Sequence, residues 1–177
     1  MPGGLKMMFK VLSAFLLPAM LSIAGCHNES GIQNRKPDRA QIETLNRYMV
    51  QKDKERIQSY IERKGLKMTE TPTGLWYGIT REGDGAPVTV NSSFMIEYEC
   101  SLLDGTVCYT SEDTGPKQII LGRTPIEPGL NEGLRLLRYG SQAIFILPPQ
   151  MGFGLPGDGK KIPPRSILVY KVNILHP

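Results

Sequence analysis

The stretch IILGRTPIEPGLNEGLRLLRYGSQAIFILPP, Ile119–Pro149, passes from strand to helix and back to strand. Gln118–Leu121 reads as a short strand. Pro128–Tyr139 reads as a helix with Leu130, Leu134 and Leu137 on one face and Gly140 at its end. Gln142–Leu147 is apolar and strand-like again. Outward from this stretch the period is two. Gly74–Thr80 predicts a strand, and REGDGAP after it a loop. Ser93–Ser101 alternates, with Phe94, Ile96 and Tyr98 on one face and Met95, Glu97 and Glu99 on the other. Ser166–Leu175 puts Leu168, Tyr170, Val172 and Ile174 on one side. Fourteen prolines and nineteen glycines agree with a turn-rich, mainly β chain. The expected class is α+β: an antiparallel, strongly curved β-sheet wrapped on one short α-helix, preceded by a helical N-terminal arm.

The arm spans residues 37–71. Pro37 and Asp38 open a helical segment with Ile42, Leu45 and Met49 spaced by three and four. Lys52-Asp53 is expected to interrupt it, with Asp53 as the N-cap of a second segment carrying Ile57, Tyr60 and Ile61 and ending at Gly65. The mixed charges of KDKERIQSYIERKGLK predict a solvated helix face. Residues 72–177 form the sheet-bearing domain and residues 26–36 a polar tether.

Residues 1–25 have the layout of a secretory leader. Lys6 and Lys10 precede the apolar run VLSAFLLPAMLSI, Val11–Ile23, which is too short for a span of about 20 apolar residues. The ending IAGC, Ile23–Cys26, resembles a bacterial lipobox, so Cys26 is expected to be lipidated. Several acyl chains at about 0.8 kcal/mol per buried methylene would anchor the protein firmly. The formal net charge of +4 includes Lys6 and Lys10; without them 19 basic side chains face 17 acidic ones. A balance of +2 lacks the concentrated basic stripe of a nucleic-acid binder.

Several chemistries lack candidates. The two histidines, His27 and His176, sit in the tether and beside the C-terminus, so no histidine triad and no metal site is expected. Neither GDGAP nor GDGKK has the spacing of a phosphate loop. Cys108 has no indicated base to make it a nucleophile. In the LLDGTVCYTSEDTG hairpin, Leu102–Gly115, a three-residue loop ending in a left-handed Gly105 would set Cys100 opposite Cys108. A shifted loop would pair Ser101 with Cys108 and put the two thiols on opposite faces. Both registers remain open, and a disulfide is not expected.

The segments GLWYGITREGDG, IEYECSLLDGTV, Ile119–Pro149, GFG and IPPRSILVYKVNIL resemble, in order and spacing, the FKBP-type peptidyl-prolyl isomerases. The resemblance covers Thr73–Pro177. The arm followed by GLKMTETPTGLWY looks like that of exported bacterial members, including lipoprotein forms associated with gliding motility. It implies a prolyl cis–trans isomerase that needs no cofactor and acts on proline-containing polypeptide clients. Carried over to this sequence, Tyr98 matches the pocket-wall tyrosine. Ile126 and Glu127 match the pair before the helix, the second offering its backbone N–H to substrate. Leu130 stands at the floor and Phe153 where a tyrosine hydroxyl commonly meets the substrate carbonyl. Ile162 precedes the paired prolines, and Tyr170 closes the back. Cys108 and Tyr109 stand where a phenylalanine and an aspartate are usual.

Leader and resemblance together imply an envelope lipoprotein facing the periplasm, on the outer membrane in preference to the inner, that helps other envelope proteins fold. The alternative is a catalytically weak peptide-binding or chaperone module on the same fold, and a third reading is a structural subunit of an envelope machine. The arm also offers a contact for a homodimer.

Overall fold

The computed structural model describes residues 38–175, so the leader, Cys26, the tether and both histidines lie outside the described residues. The arm is a single helix, α1, Arg39–Lys64. It begins with the Asp38 N–H donating to Gln41 Oε1 at 3.0 Å. It ends at Gly65, whose φ of 62° allows its N–H to reach back to Glu62 O. The expected break at Lys52-Asp53 does not occur. No proline or glycine lies between Asp38 and Gly65, and side-chain pairs such as Lys52–Glu55 at 2.8 Å lace the turn in question. Asp53 is no N-cap. It is buried and pairs with Arg165 at 2.7 Å.

Seven antiparallel strands follow: β1 Thr69–Glu70, β2 Trp76–Arg81, β3 Ser93–Leu102, β4 Val107–Thr110, β5 Lys117–Ile120, β6 Gln142–Leu147 and β7 Leu168–Ile174. They pair in the order β1-β2-β6-β7-β3-β4, and β5 also pairs with β3. The sheet wraps α3, Pro128–Leu134. Two one-turn helices were not foreseen: α2, Ser111–Thr114, capped by Thr110 Oγ1, and the 3-10 turn Pro149–Met151. The helix α3 is shorter than the expected Pro128–Tyr139. Leu137 O accepts from Val88 N at 3.0 Å and Tyr139 N donates to Ala86 O at 3.1 Å, so tertiary partners take the backbone groups that a longer helix would use. Leu130, Leu134 and Leu137 are nevertheless all buried in the core, as their spacing predicts.

Alternation holds along the first half of β3. Phe94 and Ile96 are buried while Met95 and Glu97 are exposed. Leu168, Tyr170, Val172 and Ile174 join the core around α3, together with Phe145 and Leu147 of β6. The opposite face of the same two strands contributes Ile146 and Val169 to a second cluster with Ile167 and Ile57 of α1. Both faces are therefore covered where Ile146 and Val169 lie, which explains the apolar runs there, while Lys171 on the same face of β7 stays exposed. The arm and the sheet lie in one compact unit. A cut before residue 72 would leave Ile146, Ile167 and Val169 without Ile57.

The β3–β4 hairpin follows neither proposed register. Cys100 faces Tyr109 and Ser101 faces Val107, with Cys108 as the extra residue of a bulge. Gly105 is left-handed, at φ 94°. Both cysteines are buried and free.

If α1 is part of the fold, Ile57→Ala should cost about 2–5 kcal/mol. Leu155→Ala, a 72% exposed loop position, should stay within about 0.5 kcal/mol. Urea unfolding of both variants checks this, and matching midpoints would contradict it.

Candidate functional site

One end of the core opens into a cavity of about 360 Å³. The strand β3 brings Ile96 and Tyr98 to it, β4 brings Tyr109, and the first residue of β5 is Lys117. Glu127, at the entry to α3, and Leu130, one turn in, form the helix side. The loop before β7 supplies Phe153, Asp158 and Lys160, and β7 itself supplies Tyr170. Two close approaches set the helix side. A Cβ on Gly129 would lie 2.6 Å from Leu147 Cγ, and one on Gly133 would lie 2.6 Å from Phe145 Cε1. Only glycine lets α3 sit this near β6.

Tyr170 is buried behind the cavity, its ring centroid 6.3 Å from that of Tyr98 at a tilt of 35°. Its hydroxyl donates to Glu127 Oε1 at 2.9 Å. Burial, reinforced by Cys100 and Glu127, pushes the Tyr170 hydroxyl far above its usual range. It therefore stays a donor and holds the Glu127 carboxylate in place. Burial likewise pushes the Cys100 thiol up to about 12, and it also raises Cys108, helped by Asp158 and Asp104. Neither thiol is a thiolate nucleophile at neutral pH. Among the described residues the Glu127 N–H donates to no protein acceptor.

The second polar centre joins β4 to the loop before β7. Tyr109 donates its hydroxyl to Asp158 Oδ2. Asp158 Oδ1 accepts from the backbone N–H of Lys160 and of Ile162, both at 2.8 Å. Lys161 Nζ lies 5.3 Å from the centroid of the Tyr109 ring. Burial works to raise the Asp158 carboxyl. The hydrogen bonds from Tyr109, Lys160 and Ile162 outweigh it and hold the group below its ordinary value. The hydrogen bond to Asp158 is also the main reason that the Tyr109 hydroxyl is raised.

Of the residues singled out in the sequence, Tyr98, Tyr109, Glu127, Leu130, Phe153 and Tyr170 line this cavity. Ile162 and Cys108 are buried beside it in the core, and the Cys108 thiol lies 3.6 Å from Lys161 O. Ile126 packs against the main core and also borders a neighbouring groove with Pro128 and Asn131. Sequence reasoning missed Ile96, Lys117, Asp158 and Lys160. Ile96 shares the Tyr98 face of an alternating strand, so its position was within reach. Asp158 and Lys160 sit in the GDGKK segment, whose glycines draw attention only to phosphate binding. Among the described residues no group of three or more His, Cys, Asp or Glu side chains is placed to hold a metal ion.

A family model described as FKBP-type peptidyl-prolyl cis-trans isomerase matches residues 85–175. The chain is 32% identical over 125 residues to a probable FKBP-type peptidyl-prolyl cis-trans isomerase FkpA of Neisseria meningitidis serogroup B, covering 70% of this chain and 46% of that protein. It is 29% identical over 124 residues to FkpA of Escherichia coli K12, covering 70% and 44%. The match thus spans less than half the length of these curated relatives. The crystal structure of FkpA from Escherichia coli superposes with a TM-score of 0.60 at 25% identity, over 80% of this chain and 73% of that one. A peptidyl-prolyl cis-trans isomerase from Pseudomonas syringae pv. tomato gives 0.61 at 19% identity, over 73% and 93%, and shares the fold.

The depressed Asp158 gives a pH signature. Its folded-state value lies below 3.8, so its hydrogen bonds are intact above that pH and are lost as pH falls through the lower value. The amide resonances of Lys160 and Ile162 should report this titration in two-dimensional NMR. Tyr109→Phe removes one donor, so the midpoint should move up; an unchanged midpoint would show that Tyr109 does not hold Asp158 in solution.

Proposed function

The chain belongs to the FKBP-type peptidyl-prolyl cis-trans isomerase family, and from that premise we propose that it isomerises X–Pro bonds in cell-envelope proteins as they fold. The observation that carries the reading is the aromatic-walled cavity of about 360 Å³ beside α3, lined by Tyr98, Phe153 and Tyr170. An X–Pro bond turns slowly because its amide resonance must be broken, against a barrier of about 18–20 kcal/mol. The twisted amide is less polar than either planar isomer. A proline seated against Leu130, Phe153 and the two tyrosine rings leaves water behind, which favours the twisted form. The unengaged Glu127 N–H is a donor for the substrate carbonyl. Only binding that is stronger in the twisted state accelerates the reaction, and no step needs a cofactor or a nucleophile.

The second reading is a peptide-binding or chaperone module with slow turnover. What favours it is the lining. Phe153 has no hydroxyl to offer the substrate, and the Tyr109 hydroxyl is taken by Asp158. An isomerisation assay of the lipid-free protein on short proline peptides separates the two readings. Phe153→Tyr should raise the rate by several-fold, since one net hydrogen bond is worth about 0.5–1.5 kcal/mol. Tyr109→Asp should lower it, because it releases Asp158 and puts a second carboxylate on the wall. A wild type with full family-like turnover that both changes slow would rule out an eroded site.

The IAGC ending supports an anchor through acylated Cys26, on the outer membrane and facing the periplasm. A homodimer through the arm is supported by the stripe of Ile42 and Leu45 on α1, 45% and 58% exposed. Cys26→Ser should shift the protein to the detergent-free soluble fraction, and sedimentation of the released protein should then give a dimer. A variant that stays in the membrane with lipid attached refutes the anchor, and a monomer refutes the arm contact.

A further inference from the structure

The loop from Phe153 to Arg165 carries three residues of the cavity lining, Phe153, Asp158 and Lys160. It is tied to β4 where Tyr109 donates to Asp158. Its neck is closed by the Arg165 N–H, which donates to Gly154 O at 3.0 Å, one residue from Phe153. Arg165 has an uncommon backbone. Its φ is 56°, and among the described residues Asn91 is the one other non-glycine residue with a positive value. That left-handed region suits glycine and asparagine, and an arginine gains nothing from it. The gain lies in the side chain, which reaches α1. Arg165 Nη2 donates to Asp53 Oδ2 at 2.7 Å and to Met49 O at 3.2 Å. Asp53 is 3% exposed, so salt and water screen this pair far less than they screen a surface pair. Arg56, the other cation near Asp53, is exposed and lies 3.9 Å from Oδ1. Two residues past Arg165, Ile167 packs in one cluster with Ile57 of α1. The helix thus grips the neck twice, once by charge and once by apolar contact.

From this we infer that Asp53 and Arg165 are positioning residues for the cavity: through their buried ion pair, α1 fixes the neck of the loop and with it the place of Phe153 and Asp158 on the wall. The inference rests on the isomerase reading of the cavity and gives the arm helix a part in turnover as well as in packing. A pocket that favours the twisted amide over both planar isomers needs walls that hold their place. The loop has one anchor on β4 and one on α1, and loss of the second lets the neck relax beside Phe153. The apolar contact of Ile57 holds the helix to the sheet but does not touch the neck residue itself.

The test measures isomerisation of a short proline peptide by the lipid-free protein, at a temperature where every variant is folded by circular dichroism. Arg165→Asn keeps a residue suited to the left-handed backbone and removes the reach to α1. Its kcat/KM should fall by about fivefold, the loss should lie in kcat rather than KM, and the amide resonances of Phe153, Asp158 and Lys160 should move. Asp53→Asn keeps the shape and one acceptor, so it should give a smaller fall of the same kind. Arg165→Lys keeps the charge and should recover part of the rate. Ile57→Ala loosens α1 through its apolar contact alone, and as a folded protein it should keep the wild-type kcat/KM. A folded Arg165→Asn with an unchanged rate and unchanged loop resonances overturns the inference and leaves the isomerase reading standing. So does an equal fall in folded Ile57→Ala, since the arm would then act through stability only. Should Arg165→Asn not fold, full rates in both Asp53→Asn and Arg165→Lys overturn it. If the wild type isomerises no peptide, the isomerase reading fails, and the loop resonances together with binding of the same labelled peptide by fluorescence anisotropy decide the inference.

Discussion

The distance between α3 and β6 governs the remainder of this molecule. Gly129 and Gly133 face Leu147 and Phe145 so closely that a methyl group at either position would overlap them. Because the helix sits this low, Leu134 and Leu137 complete the core, and Leu130 is left at the floor of a cavity rather than filling it. The same seating places Glu127 within 2.9 Å of the Tyr170 hydroxyl. A helix lifted by one side chain would separate that pair and open the core to water. Packing at the centre and geometry at the site are thus the same constraint seen from two ends, since interiors this dense transmit displacement instead of absorbing it.

The cavity is less apolar than a chemistry of exclusion alone would require. Two tyrosine–carboxylate pairs flank the space, one on the helix side and one on the loop side. Each turns a charged group, which would otherwise attract water, into a bound element of the wall. Asp158 is held from across the cavity by Tyr109 of β4. This carboxylate comes from the loop before β7 and is held by three donors, the Tyr109 hydroxyl and the backbone N–H groups of Lys160 and Ile162.

The elements that rest on local period were legible in the sequence: the two faces of β3, the core-facing side of β7 and the buried stripe of α3. Those that depend on distant partners were not. Asp53 looks like a cap because nothing local reveals Arg165, 112 residues away. The end of α3 is set by Ala86 and Val88, which compete for its backbone groups. The hairpin alternatives both assumed regular pairing, and the bulge at Cys108 has no strong local signature. At the site, aromatic and apolar wall positions could be placed through the family pattern. Asp158, Lys117 and Lys160 could not, because their significance comes from what faces them across the cavity.

The two buried cysteines have a practical consequence. Cys100 is fully enclosed in β3, Cys108 lies almost as deep in the bulge, and both thiols resist ionisation in the folded chain. An alkylating reagent therefore meets neither until the strands that cover them part. The pair acts as an internal clock for opening events: its modification rate counts excursions from the native state under native conditions. Because one thiol belongs to the central β3 and the other to the peripheral β4, the order in which they become labelled distinguishes fraying of the hairpin from loss of the whole sheet.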